Sequence, residues 1–352
     1  KVAPGFDIGR PPVVEHQGRS LWIPFDFVMD GDAARRNEGH VRYFELRWQS
    51  IMGGSGELGR STVLTRMDVK NTMHITSAAV ECAHEWDRLV LSEHEQTNRF
   101  RDPPPDRDHW TGIARSFAPP DRAEADLDPA VRVIETYLEK NDTVIDVGAG
   151  GGRIAIPLAR RCARVIVVEP SPVMRAGMEA SISELGVDNI EVVAETWEDA
   201  DIPMGDHVVC SHVMSATSPI LPFLEKLQHH ARKRVTVMLR ERPPQGNFHE
   251  LFERLFGEKR IPLPAMSEFR GLLELLDIEY DLHRLEDRPH GEFRDVDSAL
   301  RRSMQRLFLN PGTPNAASLA ELLPGCLVPN GDGVKFSWAE PQKGWLVTWS
   351  TE

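Results

Sequence analysis

The sequence predicts a doubly wound α/β fold, a mostly parallel sheet with helices on both faces, preceded by an α+β accessory region. Three observations lead there. From Asp128 onward, short β-branched apolar runs alternate with helical segments, the pattern of strands buried on both faces. The first of those runs passes directly into a glycine cluster, the arrangement by which open α/β sheets bring backbone close to a ligand. The run Asp102-Pro103-Pro104-Pro105-Asp106 divides the chain, because successive prolines favour extended backbone and cannot continue a helix.

Residues 1–105 are therefore expected to form an accessory or cap region and 106–352 the main domain. Within the first part, Val41, Phe44, Trp48 and Ile51 stand at helical spacing and predict an amphipathic helix over 33–52, ended by Gly53-Gly54-Ser55-Gly56. Residues 61–69 suit a strand and 77–94 a second helix. A further loop, Ala118-Pro119-Pro120-Asp121, closes the short aromatic segment 109–117.

In the main domain, strands are expected at 143–147, 165–169, 190–193, 207–210 and 234–239. Helices are expected at 129–139, 154–161, 172–185 and 220–232. Each crossover should be right-handed. Further on come helices at 248–256, 264–276 and 296–307 and a strand at 280–285. Residues 334–338 and 345–349 read as a terminal hairpin, and 286–324 as a helical insertion before the last strands.

Bulk properties narrow the function. An apolar fraction of 41% and a charged fraction of 27% are those of an ordinary soluble domain, and no run of 18 apolar residues suggests a membrane span. The chain opens at Lys1, and no leader is visible. Cys82, Cys162, Cys210 and Cys326 are scattered without a Cys-x-x-Cys pair, so reduced thiols and a cytoplasmic location are expected. Cys82, His84, His94 and Glu95 do not share one helical face, and no metal is expected. Arginine outnumbers lysine, which points to a GC-rich bacterial genome. The net charge is −13, and beyond residue 105 there are 28 Lys/Arg against 39 Asp/Glu. That balance opposes a broad phosphate-binding face, so a nucleic-acid substrate is not expected.

The strongest chemical signal is Val144-Ile145-Asp146-Val147-Gly148-Ala149-Gly150-Gly151-Gly152-Arg153. Glycines lacking Cβ atoms free φ and remove the clash with a ligand lying against the turn. Glu169 closes the second strand, where a carboxylate can accept bonds from both hydroxyls of a ribose. A dinucleotide fingerprint would need glycine at position 153, where Arg153 stands, and Asp146 beside two phosphates would be repulsive.

These residues resemble the class I S-adenosylmethionine methyltransferases, over residues 106–352. The resemblance implies a mostly parallel seven-stranded sheet and S-adenosylmethionine as cofactor, with S-adenosylhomocysteine as product. Asp146, Gly148, Ala149, Gly150 and Gly152 would hold the methionine end, and Glu169 with Pro170 the ribose. Adenine would lie at Thr196 and Trp197, where the family often has an acid. Thr196 would act by its hydroxyl, Trp197 by its backbone N–H or ring face, or Glu198 would replace the acid; plain packing of Trp197 is the alternative. Cys210, Ser211 and His212 would line the place where methyl and acceptor meet. His212 is the candidate general base, against a simple packing role.

The Asn/Asp-Pro-Pro-Tyr/Phe motif of enzymes that methylate base or glutamine nitrogens is absent here. Trp110 or Phe117 would cover the cofactor, or belong to the core. Arg240-Glu241-Arg242-Pro243 would either face the pocket or pair on the surface, and His229-His230 reads as a solvated helix end. The expected activity is methyl transfer to a small or medium-sized O- or N-nucleophile. A silent binding or assembly protein and a protein methyltransferase are the alternatives. A small-molecule substrate and no membrane are expected, and a homodimer stays open.

Overall fold

A computed structural model describes residue 73, 75–103, 128–243 and 245–351, together with short backbone strands within 1–70. The chain forms two compact units, Lys1–Lys70 and Asn71–Glu352. The boundary therefore lies well before the 105/106 division expected from the prolines. The reason is helix α1 (Ser77–Phe100), which buries Ala79, Ala83, Trp86 and Val90 in the core of the second unit. Its N-terminus is capped by Thr76, whose hydroxyl accepts from Ala79 N–H at 3.1 Å.

In the first unit, β1 (Val13–His16) and β2 (Arg19–Trp22) pair antiparallel. Strands β3 (Arg36–Glu38), β4 (Val41–Tyr43) and β5 (Met67–Asp68) form a second antiparallel sheet. The helix expected over 33–52 is thus corrected. Arg36 pairs with Tyr43 and Glu38 with Val41, so these residues are extended and antiparallel where the spacing had suggested a helix.

The second unit is built on one seven-stranded sheet of order β11-β15-β10-β9-β6-β7-β8. The parallel part comprises β6 (Thr143–Val147), β7 (Arg164–Val168), β8 (Ile190–Val193), β9 (Gly205–Ser211) and β10 (Ala231–Arg240). β15 (Gly344–Ser350) lies antiparallel between β10 and β11 (Asp281–Arg284). The expected terminal hairpin is therefore also corrected. β14 (Gly333–Phe336) pairs instead with β12 (Glu292–Phe293) and β13 (Leu327–Asn330) in a separate sheet.

Alternation along the strands sorts the core into two layers. Ile145, Val147, Val208, Cys210, Val235 and Val237 face α1, α5 (Ile220–His230) and α7 (Met266–Leu275). Val144, Val165, Val167 and Val209 face α2 (Pro129–Glu135), α3 (Ala155–Ala159) and α4 (Pro172–Leu185). α4 begins with Pro172 after the Ser171 cap and ends at Gly186, φ 62°, as those residues dictate.

A third core belongs to the region between β11 and β15, joined by α6 (His249–Phe256). There Leu251, Phe252 and Phe336 pack with α8 (Val296–Arg306) and α9 (Pro314–Leu322). The expected helical insertion is accordingly an α+β unit with its own small sheet. No helix among the described residues is long and apolar enough to cross a membrane.

Candidate active site

Strand β6 carries Asp146 into the interior, where it is 1% exposed; its carboxylate lies near the backbone N–H of Ala155, and neither oxygen makes a well-formed hydrogen bond. Burial pushes its pKa up to about 7; the charge of Arg153 and the backbone N–H of Ala155 oppose the rise, and the charge of Glu169 adds to it. A buried carboxylate so poorly partnered is costly, and native folds seldom keep one without a use for it.

The turn after β6 explains its glycines. Gly148, Gly150 and Gly152 have φ of 67°, 57° and 85°, the left-handed region that side chains rarely enter. A Cβ on Gly148 would stand 2.4 Å from Val213 Cγ2, and one on Gly152 2.8 Å from Ile156 Cδ1. Gly148 N–H donates to Val168 O at 2.8 Å, which ties the turn to the end of β7.

Glu169 sits beneath this turn. Its carboxylate accepts from Gly150 N–H and from Ser171 N–H, each at 2.8 Å, so two backbone groups fix its orientation. Pro170 is exposed, and its carbonyl accepts from Arg175 Nη1 at 2.7 Å. Asp146, the glycine turn with Ala149, Glu169 and Pro170 are thus gathered at the carboxyl ends of adjacent strands. That is the crevice where open α/β sheets bind ligands.

The residues expected at adenine divide. Thr196 is exposed, its hydroxyl donates to Asp199 Oδ2 at 3.0 Å, and it accepts from Asp199 N–H at 3.3 Å, capping a turn. Trp197 is 3% exposed, with Nε1 donating to Phe223 O at 3.4 Å and its ring 5.2 Å from that of His230. Its ring belongs to the core under α5, so the expectation of a ring face against adenine is corrected. His230, expected in solvent, is drawn into that same packing.

At the end of β9, Cys210 is fully buried and burial raises its thiol pKa. It points into the α1/α5 layer rather than the crevice, which corrects its expected place in the pocket. Ser211 points the other way and accepts from Arg153 Nη2 at 3.3 Å. His212 follows with φ 60°, a left-handed conformation in which histidine is one of the few side chains found. Its N–H donates to Met238 O at 2.9 Å. The residue reaches solvent at the mouth of a cleft shared with Asp128, Arg153, Arg240, Arg288 and Gln342. Partial enclosure by the cleft, then the charges of Arg240, Arg153 and Arg288, hold its pKa below the usual histidine range, so the ring is neutral at neutral pH.

Three members of that cleft escaped the sequence reading. Asp128, the side-chain cap of α2, forms an ion pair with Arg153 and a 3.4 Å pair with Arg288. These partners are far apart in sequence, and no local motif announces them. Arg240 faces the cleft, whereas Glu241 and Arg242 pair on the surface with Lys343 and Glu340. The segment 109–117, with Trp110 and Phe117, lies outside the described residues.

Residues 144–234, from β6 into β10, match a family model described as a methyltransferase domain. Over 88 residues the chain is 35% identical to the "Probable ribosomal RNA small subunit methyltransferase A" of Methanosarcina acetivorans, covering 25% of this chain and 32% of that protein. Its namesake from Methanosphaera stadtmanae is 28% identical over 83 residues, 24% of this chain and 31% of that one. The chain therefore spans about a third of the length of these curated relatives.

Among solved structures, the YcgJ protein of Bacillus subtilis aligns with a TM-score of 0.44 and 17% identity, over 63% of this chain and 97% of its own. A SAM-dependent methyltransferase from Geobacter sulfurreducens, in complex with S-adenosyl-L-homocysteine, aligns with a TM-score of 0.42 and 15% identity, over 70% and 99%. The matched segment 144–234 spans the parallel strands of the seven-stranded sheet, from β6 into β10.

Proposed function

We propose that this chain transfers the methyl group of S-adenosylmethionine to a small or medium-sized O- or N-nucleophile lodged at the carboxyl ends of β9 and β10. The observation that carries the reading is Asp146, a buried carboxylate with no well-formed hydrogen bond and only the Ala155 N–H as a nearby donor, beside a turn in which three glycines take left-handed φ. An amino-acid ammonium supplies the missing charge, and Glu169, held by two backbone N–H groups, suits a ribose diol. The cradle fits the donor.

When bound, the donor offers a sulfonium methyl; the acceptor lone pair forms the new bond while the S–C electrons return to sulfur, leaving S-adenosylhomocysteine. The chain's own task is to align the acceptor and exclude water, which can supply much of the acceleration. His212, neutral in its arginine surroundings, is in the protonation state to take a proton from an O–H or N–H acceptor. Because its pKa is depressed, the base form persists through neutral pH and is lost only as pH falls well below the usual histidine value.

An RNA acceptor is the second reading, favoured by the names of the curated relatives. Against it stand the net charge of −13 and the acid excess of the second unit. A radiolabelled-methyl screen over small-metabolite and RNA fractions tests both, with transfer to RNA alone contradicting the proposal. In that assay His212→Ala should lower kcat about a hundredfold with donor affinity unchanged. Full turnover would remove His212 from the mechanism.

A further inference from the structure

Behind the cleft lies a group of polar side chains that the donor site does not use. Arg240 ends β10, Arg302 and Arg306 lie four residues apart on α8, and His290 precedes β12. Arg306 Nε, His290 Nδ1, Ser303 Oγ and both amide atoms of Gln342 are buried without a hydrogen-bond partner. Gln342 lies at the join: it lines the cleft of His212 and Arg240, and also the neighbouring hollow of His290 and Asn247.

The charges here all have one sign. Burial, then the charges of Arg288, Arg153 and Arg302, lowers the pKa of Arg240 to about 10; burial, then the charges of Arg302, Arg240 and Arg260, lowers that of Arg306 to about 9. Burial and then Arg240, Arg306 and Arg302 push His290 down to about 3. Asp128 and Glu286 line the cleft that Arg240 faces, yet among the described residues no carboxylate is paired with Arg240, Arg302 or Arg306. Elsewhere the same fold pairs its buried arginine: Arg260, 5% exposed, donates to Glu93 Oε1 at 2.7 Å. Half-buried guanidiniums without a paired carboxylate, next to buried unsatisfied amide and hydroxyl atoms, favour a counterion from outside.

Resting on the methyl-transfer reading above, we infer that the acceptor carries an anionic group, a carboxylate or a phosphate, gripped by Arg240 and Arg306 between the sheet edge and the inserted α+β unit. The guanidinium fork matches either anion with paired, charge-assisted bonds. Ser303 and Gln342 add neutral polar contacts, and neutral His290 does not compete for the anion. The location supports an acceptor rather than a stray ion, since Arg240 shares its cleft with His212 at the end of β9. Burial favours a small acid over RNA, because a continuous phosphate backbone is tracked by an open basic surface. The inserted unit thereby sets acceptor choice, while the sheet sets the donor.

The test uses the full chain and two probes, inorganic phosphate and tricarballylate, against chloride at equal ionic strength. Both probes should raise the melting temperature beyond chloride. Arg306→Gln should weaken probe binding at least about tenfold and leave calorimetric affinity for S-adenosylhomocysteine unchanged. Arg306→Gln should also melt higher than the wild type without a probe, since it removes one of several neighbouring charges of like sign. Probe binding equal to chloride, or unaltered in both Arg306→Gln and Arg240→Gln, overturns the inference. A short single-stranded RNA that binds more tightly than either probe and is lost in Arg306→Gln overturns it in favour of a nucleic acid. Should probes bind as expected while S-adenosylhomocysteine does not, the anion site stands and the methyl-transfer reading falls. If only phosphate binds, the phosphate arm is selected; if only tricarballylate binds, the carboxylate arm.

Discussion

Asp146→Asn is expected to raise the stability of the donor-free protein while weakening donor binding about ten- to a hundredfold. The two effects share one cause. Burial raises the Asp146 pKa from 3.8 to about 7 in the folded chain, so the folded state holds a proton that the unfolded state has released. Its penalty on folding therefore grows as pH rises from 3.8 and is complete above about 7. Removing the charge should recover about 2 to 4 kcal/mol of stability at pH 8 and almost nothing near pH 4, as denaturant unfolding would read. An ammonium can pair only with the ionised carboxylate. Wild-type donor affinity should accordingly climb with pH through about 7, and the Asn variant should be flat over that range. Equal stability of the two proteins at pH 8 would show that Asp146 is satisfied by something else.

Gly148→Val should abolish donor binding and destabilise the fold by about 3 kcal/mol or more. A β-branched residue at φ 67° is strained in itself, and its Cβ would stand 2.4 Å from Val213 Cγ2, just after His212. Relief requires the turn or the Val213 segment to move, and either movement disturbs both halves of the site. Gly186→Ala is the control: its φ is 62°, but nothing lies within 4 Å of an added Cβ. It should cost about 1 kcal/mol from backbone strain alone and leave donor affinity intact. Calorimetry on both variants separates closure of the turn from a general loss of stability.

The donor half was legible because its chemistry is local. A strand, a turn and the acid after the next strand stand within 30 residues, and each residue type declares its role. Partner choice among strands was not. The apolar runs at 334–338 and 345–349 look like neighbours, yet β15 inserts between β10 and β11 while β14 joins β12 and β13. Hydrophobic alternation reveals a strand without saying which edge it will find.

Parity was a second gap. On β9, buried on both faces, the residue pattern gives no clue that Cys210 enters the core and Ser211 faces Arg153. Trp197 was ambiguous for a related reason, since an aromatic serves packing and stacking equally well. The arginines of the acceptor side come from α3's approach, β10, the β11–β12 connection and α8, and only the folded chain collects them. Their residue type was visible, their convergence was not.

The central claim is that the ionised Asp146 receives the donor's ammonium beneath the β6 turn. Titration of S-adenosylhomocysteine into the protein at pH 7, repeated in two buffers of different ionisation enthalpy, tests it directly. The account predicts saturable binding with release of about half a proton per site, a release that disappears in Asp146→Asn. Absence of binding, or binding with the same proton count in both proteins, would contradict it.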